Sequence, residues 1–139
     1  MDKSTMRANQ LNFGPYSTRK VVPVQQSYDG LIATGKAIDV TDKAGEHFPR
    51  CRVAIETGVY EQHVAWPNSA TRHHMIYLDE SCRLHEVLRA ACDATRHESP
   101  AEFCHKGVAC DARTDKDVRH SFVLERLADV PAISWLIRQ

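Results

Sequence analysis

The chain has 139 residues, of which 42% are hydrophobic and 26% are charged, and its 18 basic residues balance its 18 acidic residues. A chain of this length can bury one hydrophobic core, and this composition excludes disordered and fibrous proteins. Because the formal net charge is zero, no whole-molecule field attracts nucleic acid or an anionic membrane. Binding of either kind would need a local basic patch.

The first 19 residues combine turn residues with scattered hydrophobic residues, which predicts a partly irregular N-terminal arm before a single domain over residues 20–139. The first 20 residues have a net charge of +3, from Lys3, Arg7, Arg19 and Lys20 against Asp2. This arm is a candidate contact for a protein partner or for nucleic acid.

Cysteine count and hydropathy bear on the compartment. The start of the chain has no apolar core of signal-peptide length, and no run of about 18 apolar residues occurs, so we expect no membrane partner. The five cysteines are an odd number, which favours free thiols in a reducing compartment. We therefore expect a cytoplasmic protein.

Residues from about 20 to 78 predict four or five antiparallel strands in a meander. Turn residues separate the candidate strand segments, which are VVPVQQ, LIATGKAIDV, CRVAIE, VYEQHVAW and RHHMIYL. The segment CRVAIE alternates, with Cys51, Val53 and Ile55 on one face.

A helix is predicted from Asp79 and Ser81, either of which can cap it, to about Arg96. Its apolar residues recur at three- and four-residue spacing; they are Leu84, Val87, Leu88, Ala91 and Ala94.

Two more helices are predicted towards the C-terminus. Ser99-Pro100-Ala101-Glu102 matches a capping box, and Thr114-Asp115-Lys116-Asp117 can begin a helix through Ala128. Strands first and helices second predict an α+β fold, with two or three C-terminal helices packed on one face of the sheet.

Four of the five cysteines lie between residues 81 and 110. A structural zinc ion needs four converging Cys or His ligands, and the CxxC spacing typical of such sites is missing. Cys82 and His85 are neighbours on a helix surface and could share a metal ion with Cys104 and Cys110 if the fold brings them together. The alternative hypothesis is that the cysteines are buried free thiols.

Cys82 and His85 also form a candidate catalytic pair. The exposed N–H groups at a helix N-terminus favour a thiolate, and a histidine one turn later could act as its base. The sequence offers no third residue to orient the histidine.

A second polar constellation is predicted on the sheet. Glu56, Glu61, His63 and one of His73 or His74 are expected to share the polar face of adjacent strands. Carboxylates beside imidazoles suit acid–base or metal chemistry, but such a face is more often solvent-exposed sheet on which Glu and His pair across strands, and a partner contact is a further alternative.

Five large hydrophobic residues do not alternate with basic residues as in single-strand nucleic-acid binders, and they are predicted to lie in the core. They are Met75, Tyr77, Phe103, Phe122 and Trp135.

The sequence contains no phosphate-binding loop, nucleophile elbow, zinc-protease motif or calcium loop. We therefore expect a non-enzymatic binding or inhibitor-type accessory protein without a cofactor, which docks on a protein partner or on itself. Candidate contacts are a sheet edge beside the arm, or the C-terminal end with Trp135 and Arg138. The alternatives are a small enzyme or zinc-binding protein, and a nucleic-acid accessory protein that uses the arm.

Overall fold

The computed structural model describes residues 26–128 and 132–139. Its elements in chain order are α1 (Tyr28–Ala33), β1 (Ala37–Asp39), α2 (Thr41–Ala44), β2 (Cys51–Glu56), α3 (Thr57–His63), α4 (Asn68–His74), α5 (Glu80–Ala94), β3 (Ala101–Gly107), β4 (Val118–Leu127) and β5 (Ile133–Arg138). The predicted arm, with Arg7, Arg19 and Lys20, lies outside the described residues, as does nearly all of VVPVQQ.

The five strands form one mixed sheet in the order β1-β2-β5-β4-β3. The β2–β5 pair is parallel, and the other three pairs are antiparallel. The predicted antiparallel meander followed by C-terminal helices is therefore wrong. Three of the five strands lie after α5, and all five described helices precede them.

Two of the predicted strands are short helices. The segment VYEQHVAW overlaps α3, which buries Val59 and His63 four residues apart, and RHHMIYL overlaps α4, which buries Ala70 and His74 at the same spacing. A four-residue spacing places two side chains on one face of a helix. In segments this short, helical and strand periods are hard to tell apart, and the prediction took the wrong period.

The helices predicted after residue 98 are strands. In β4, the four consecutive residues from Phe122 to Glu125 are buried, because β4 lies inside the sheet with both faces covered. The polar run from Thr114 to Asp117 forms a turn instead of a helix cap, and the Thr114 hydroxyl accepts a hydrogen bond from the Lys116 N–H at 3.2 Å. Such residues serve turns and helix starts equally well.

Two predicted elements are confirmed. The segment CRVAIE forms β2 as a strand, and α5 buries the predicted stripe of Leu84, Val87, Leu88, Ala91 and Ala94. The Asp79 side chain caps α5 by accepting a hydrogen bond from the Cys82 N–H at 3.0 Å.

The core has two parts, one on each face of the sheet. Val53 and Ile55 of β2 belong to the larger part, under α2, α3 and α5, whereas Ala54 belongs to the smaller part with Tyr28 and Leu31 of α1. Successive side chains of β2 point to opposite faces of the sheet, and both faces are buried there. Among the described helices, none has the length and apolar character needed to cross a membrane.

Candidate functional site

A cleft of about 590 Å³ lies between α5 and β3. Its β3 wall consists of the four consecutive residues from Cys104 to Gly107. Successive side chains of a strand point to opposite faces, so a cleft that touches four consecutive residues runs along the edge of the strand. Because β3 is the last strand of the sheet, this edge has no neighbouring strand within the described residues. We call the cleft the edge groove.

The opposite wall of the edge groove is one face of α5. The lining residues follow the helical period; they are Asp79, Cys82, Glu86, Arg89 and Asp93, joined by Arg83 and Ala90. Alternating spacings of three and four keep such residues on one side of a helix. The groove thus faces a strand backbone on one side and a charged helix surface on the other.

The charges in the edge groove nearly cancel. The basic lining residues are Arg83, Arg89 and Lys106, and the acidic ones are Asp79, Glu86, Asp93 and Asp117. A groove for a phosphate backbone would need an excess of positive charge. This mixed lining suits a ligand that carries charges of both signs.

Three histidines cluster at the end of the edge groove around Phe122. The His63 and His120 rings lie 4.5 Å apart, the His63 and Phe122 rings lie 4.9 Å apart, and His105 pairs directly with His120 across β3 and β4. Burial lowers the pKa of His63 to about 4, with His120, Arg83 and His105 lowering it further. Burial also lowers the pKa of His105. The His63 imidazole is therefore neutral at pH 7.

The buried Nε2 atom of His120 has no hydrogen-bond partner among the described residues. An unpartnered buried nitrogen costs stability unless a ligand or water reaches it. His120 lies beside the groove residues His63 and His105 but does not itself line the edge groove.

Arg83 is a site residue that the sequence did not reveal. It is buried on α5, and its Nε, Nη1 and Nη2 atoms donate to the backbone oxygens of Val64, Val108 and Gln62 at 2.9, 2.9 and 3.3 Å. Its guanidinium also lies 4.7 Å from the centre of the Trp66 ring. Arg83 thus joins α5 to the segments after α3 and β3, and fixes the end of the groove. In the sequence, Arg83 is only a charged residue beside the apolar stripe of α5, and nothing there indicated that it would be buried and bonded to backbone oxygens.

The catalytic pair of Cys82 and His85 stays a prediction, and the surroundings of the two residues add no support to it. Cys82 is exposed in the edge groove, and its hydrogen bond with the Asp79 carboxylate raises the pKa of the Cys82 thiol. The Nδ1 atom of His85 lies 3.4 Å from the Nε2 atom of His47, on a flank of α5 that does not line the groove. A raised thiol pKa leaves less thiolate at neutral pH.

The four predicted zinc ligands are dispersed. Cys104 is exposed in the edge groove, where a hydrogen bond with Arg119 lowers the pKa of its thiol. Cys110 donates to the Glu61 backbone oxygen at 3.1 Å. In residues 26–128 and 132–139, no group of converging ligand atoms contains Cys82, Cys104 or Cys110.

The predicted constellation on the sheet is distributed over three elements. Glu56 ends β2, Glu61 and His63 lie on α3, and His73 and His74 lie on α4. Glu61 is exposed, whereas His63 is buried towards the edge groove. The structure therefore does not place them on one polar face of neighbouring strands.

The C-terminal residues lie inside the sheet. Both edges of β5 are paired, with β2 and with β4. Trp135 packs against Phe48 with ring centres 6.3 Å apart, and the Arg138 Nε atom donates to Glu125 Oε1 at 2.9 Å. Partner binding by Trp135 and Arg138 stays a prediction, and this placement adds no support to it.

An exposed apolar loop adjoins the edge groove. Met75, Ile76 and Tyr77 are 87%, 49% and 69% exposed, and the next residue, Leu78, lines the groove. The Trp66 indole N–H donates to the Ile76 backbone oxygen at 3.1 Å, which holds the loop in place. The prediction that Met75 and Tyr77 are core residues is therefore wrong. We call residues 75–77 the apolar loop.

Comparison of the chain with protein-family models, with curated proteins and with solved structures found no match. No activity can therefore be transferred from a relative.

Proposed function

We propose that this chain is a non-enzymatic binding protein that takes up an extended segment of a protein partner along the edge of β3 at residues 104–107, which has no neighbouring strand among the described residues. The observation that carries the proposal is that four consecutive β3 residues, Cys104 to Gly107, line a groove whose other wall is α5. An edge strand offers a row of unpaired N–H and C=O groups, and an extended peptide supplies the complementary row.

The dimensions of the edge suit a short peptide. At about 3.3 Å per residue, the four groove residues span roughly 13 Å. A partner segment of about four residues in extended conformation would match this length and add a strand beside β3.

The lining of the edge groove defines the chemistry of the partner. Glu86 and Asp93 on α5 would attract a basic side chain, whereas Arg89 and Lys106 would attract an acidic one. The apolar loop offers Met75 and Tyr77, residue types that are enriched at protein interfaces. We therefore propose a partner segment that bears both charge signs and has an apolar residue at one end.

The same observations favour binding over the two alternatives. The nearly balanced charge of the edge groove does not attract a phosphate backbone, and the raised pKa of Cys82 does not favour a nucleophilic thiol. The proposed contact of the N-terminal arm with nucleic acid concerns residues outside the described ranges.

Selection of peptides from a displayed random library on the purified protein would test the proposal. We expect selected peptides to bind the wild-type chain and to bind Glu86→Lys at least about tenfold more weakly, since the groove wall changes sign. The matched control is Asp42→Lys, because Asp42 is exposed on α2 outside the groove.

Methylation of single backbone nitrogens in a selected peptide provides the sharper test. Strand addition uses the N–H of every second peptide residue, so we expect binding to be lost at alternate positions only. Binding that tolerates methylation at every position, or a failure to select any groove-dependent peptide, would contradict the proposal.

A further inference from the structure

A second cluster of potential ligands lies on the flank of α5 outside the edge groove. It consists of Glu46 and His47, in the turn after α2, and His85 on α5. One ligand atom from each residue lies within 4.8 Å of the other two. Only His85 belongs to the ligand set expected from the sequence. The cluster is independent of the proposed function, because none of its residues lines the groove.

The spacing of the two imidazoles fits a tetrahedral metal ion. The His47 Nε2 and His85 Nδ1 atoms are 3.4 Å apart, which is long for a hydrogen bond between nitrogens. Two nitrogens each about 2.1 Å from a tetrahedral zinc ion are separated by about 3.4 Å. A shared cation would accept both lone pairs at the distance that the structure already shows.

Two hydrogen bonds hold the backbone of His47 in place beside α5. The His47 N–H donates to the Ala44 backbone oxygen at 2.9 Å, and the His47 backbone oxygen accepts a hydrogen bond from the Cys92 thiol at 3.1 Å. Cys92 lies two turns after His85 on the same flank of α5. The turn that carries Glu46 and His47 is therefore fastened to the helix that carries His85.

We propose that Glu46, His47 and His85 bind one divalent transition-metal ion, with zinc as the best fit. Two imidazole nitrogens and one carboxylate oxygen form a donor set that zinc accepts, and three protein ligands leave a fourth position for water or another ligand. The ion would join the turn after α2 to the middle of α5. All three residues are half-buried or exposed, so an ion can reach them from solvent.

Titration of the full chain with Zn²⁺ and with Co²⁺ under reducing conditions tests this site. We expect one ion per chain, and binding at least about tenfold weaker in His47→Gln, His85→Gln and Glu46→Gln, since even residues that only orient a ligand affect affinity on this scale. The matched control is His97→Gln, because His97 is exposed and outside the cluster. The Co²⁺ spectrum should lack the intense near-ultraviolet absorption of a thiolate ligand.

Three outcomes would overturn the proposal. The first is no stoichiometric binding by the wild-type chain, and the second is unchanged affinity in His47→Gln and His85→Gln. The third is a thiolate spectrum lost in Cys82→Ser or Cys104→Ser, which would assign the ion to cysteines. Circular dichroism of each variant without metal separates loss of the site from loss of the fold.

Discussion

At the residue scale, Arg83 shows how one buried charge organises the end of the edge groove. Its guanidinium is compensated by three backbone oxygens and by the face of Trp66. Buried polar groups of this kind destabilise the fold when one partner is removed, because the remaining groups lose their hydrogen bonds. The Gln62 oxygen also accepts a hydrogen bond from the Cys110 N–H at 2.9 Å, so the loss of Arg83 would fall mainly on the oxygens of Val64 and Val108.

We expect Arg83→Met to lower the free energy of unfolding by roughly 3 kcal/mol, since three backbone oxygens lose a charged donor. The control Arg89→Met, on the exposed face of the same helix, should change it by less than about 0.5 kcal/mol. Urea denaturation of both variants measures the difference. Equal midpoints for the two variants would refute this role for Arg83.

His63 gives the fold a dependence on pH. Because its pKa is about 4 in the folded chain and about 6.5 when unfolded, unfolding takes up a proton between these values. Stability is therefore complete above pH 6.5, falls as the pH falls towards 4, and levels off below that. The slope from this one group is at most about 1.4 kcal/mol per pH unit.

We expect the difference in urea midpoint between pH 7 and pH 5 to be smaller in His63→Gln than in the wild-type chain, since glutamine does not titrate. His97→Gln, at an exposed position, should keep the wild-type difference. An unchanged pH dependence in His63→Gln would show that His63 is not the group responsible.

At the element scale, the sequence predicted correctly those elements whose apolar residues keep one spacing over several turns of a helix or over a whole strand. The stripe of α5 extends over three turns, and β2 alternates over six residues, so both patterns outweigh the local ambiguity. By contrast, α3 and α4 have seven residues each. A segment of that length can match both the 3.6-residue period of a helix and the two-residue period of a strand. The edge groove could not be predicted, because it exists only once β3 is known to be an edge strand.

The burial of β4 explains why its sequence resembled a helix. Its apolar run is continuous because both faces are covered, so no alternation marks it as a strand. A polar turn residue before such a run looks the same whether a helix or a strand follows.

We expect Leu124→Ala to destabilise the chain by about 2–4 kcal/mol, because Leu124 is buried in the larger core and leaves a cavity. Val118→Ala, near the start of the same strand and 43% exposed, should cost under about 1 kcal/mol. Chemical denaturation of both variants measures the two losses of stability. A larger loss from Val118→Ala would contradict the placement of β4.

At the scale of the whole molecule, the sheet depends on a contact between distant parts of the chain. Residues 51–55 of β2 pair in parallel with residues 133–137 of β5, and β5 separates β2 from β4. Local patterns carry no information about such a pairing, which is why the sequence yielded a meander and a free C-terminal end.

We expect a chain that ends at residue 132 to fail to fold, since it lacks a central strand and the buried side chains of Leu136 and Ile137. Stabilities of whole domains are only about 5–15 kcal/mol, which such a loss exceeds. Deletion of Gln139 alone, which is exposed, should leave the fold intact. Circular dichroism and one-dimensional proton spectra distinguish the two chains, and a cooperatively folded truncated chain would contradict the strand order.

The central claim is that the edge of β3 at residues 104–107 binds an extended partner segment, and amide hydrogen exchange tests it most directly. Exchange would be measured by NMR for the full chain, alone and with a selected peptide. We predict that alternate amides of residues 103–107 exchange at least about tenfold more slowly with the peptide, while the amides of β1 at the opposite edge do not change. Protection confined to β1, or no protection of β3 at saturating peptide, would contradict the account.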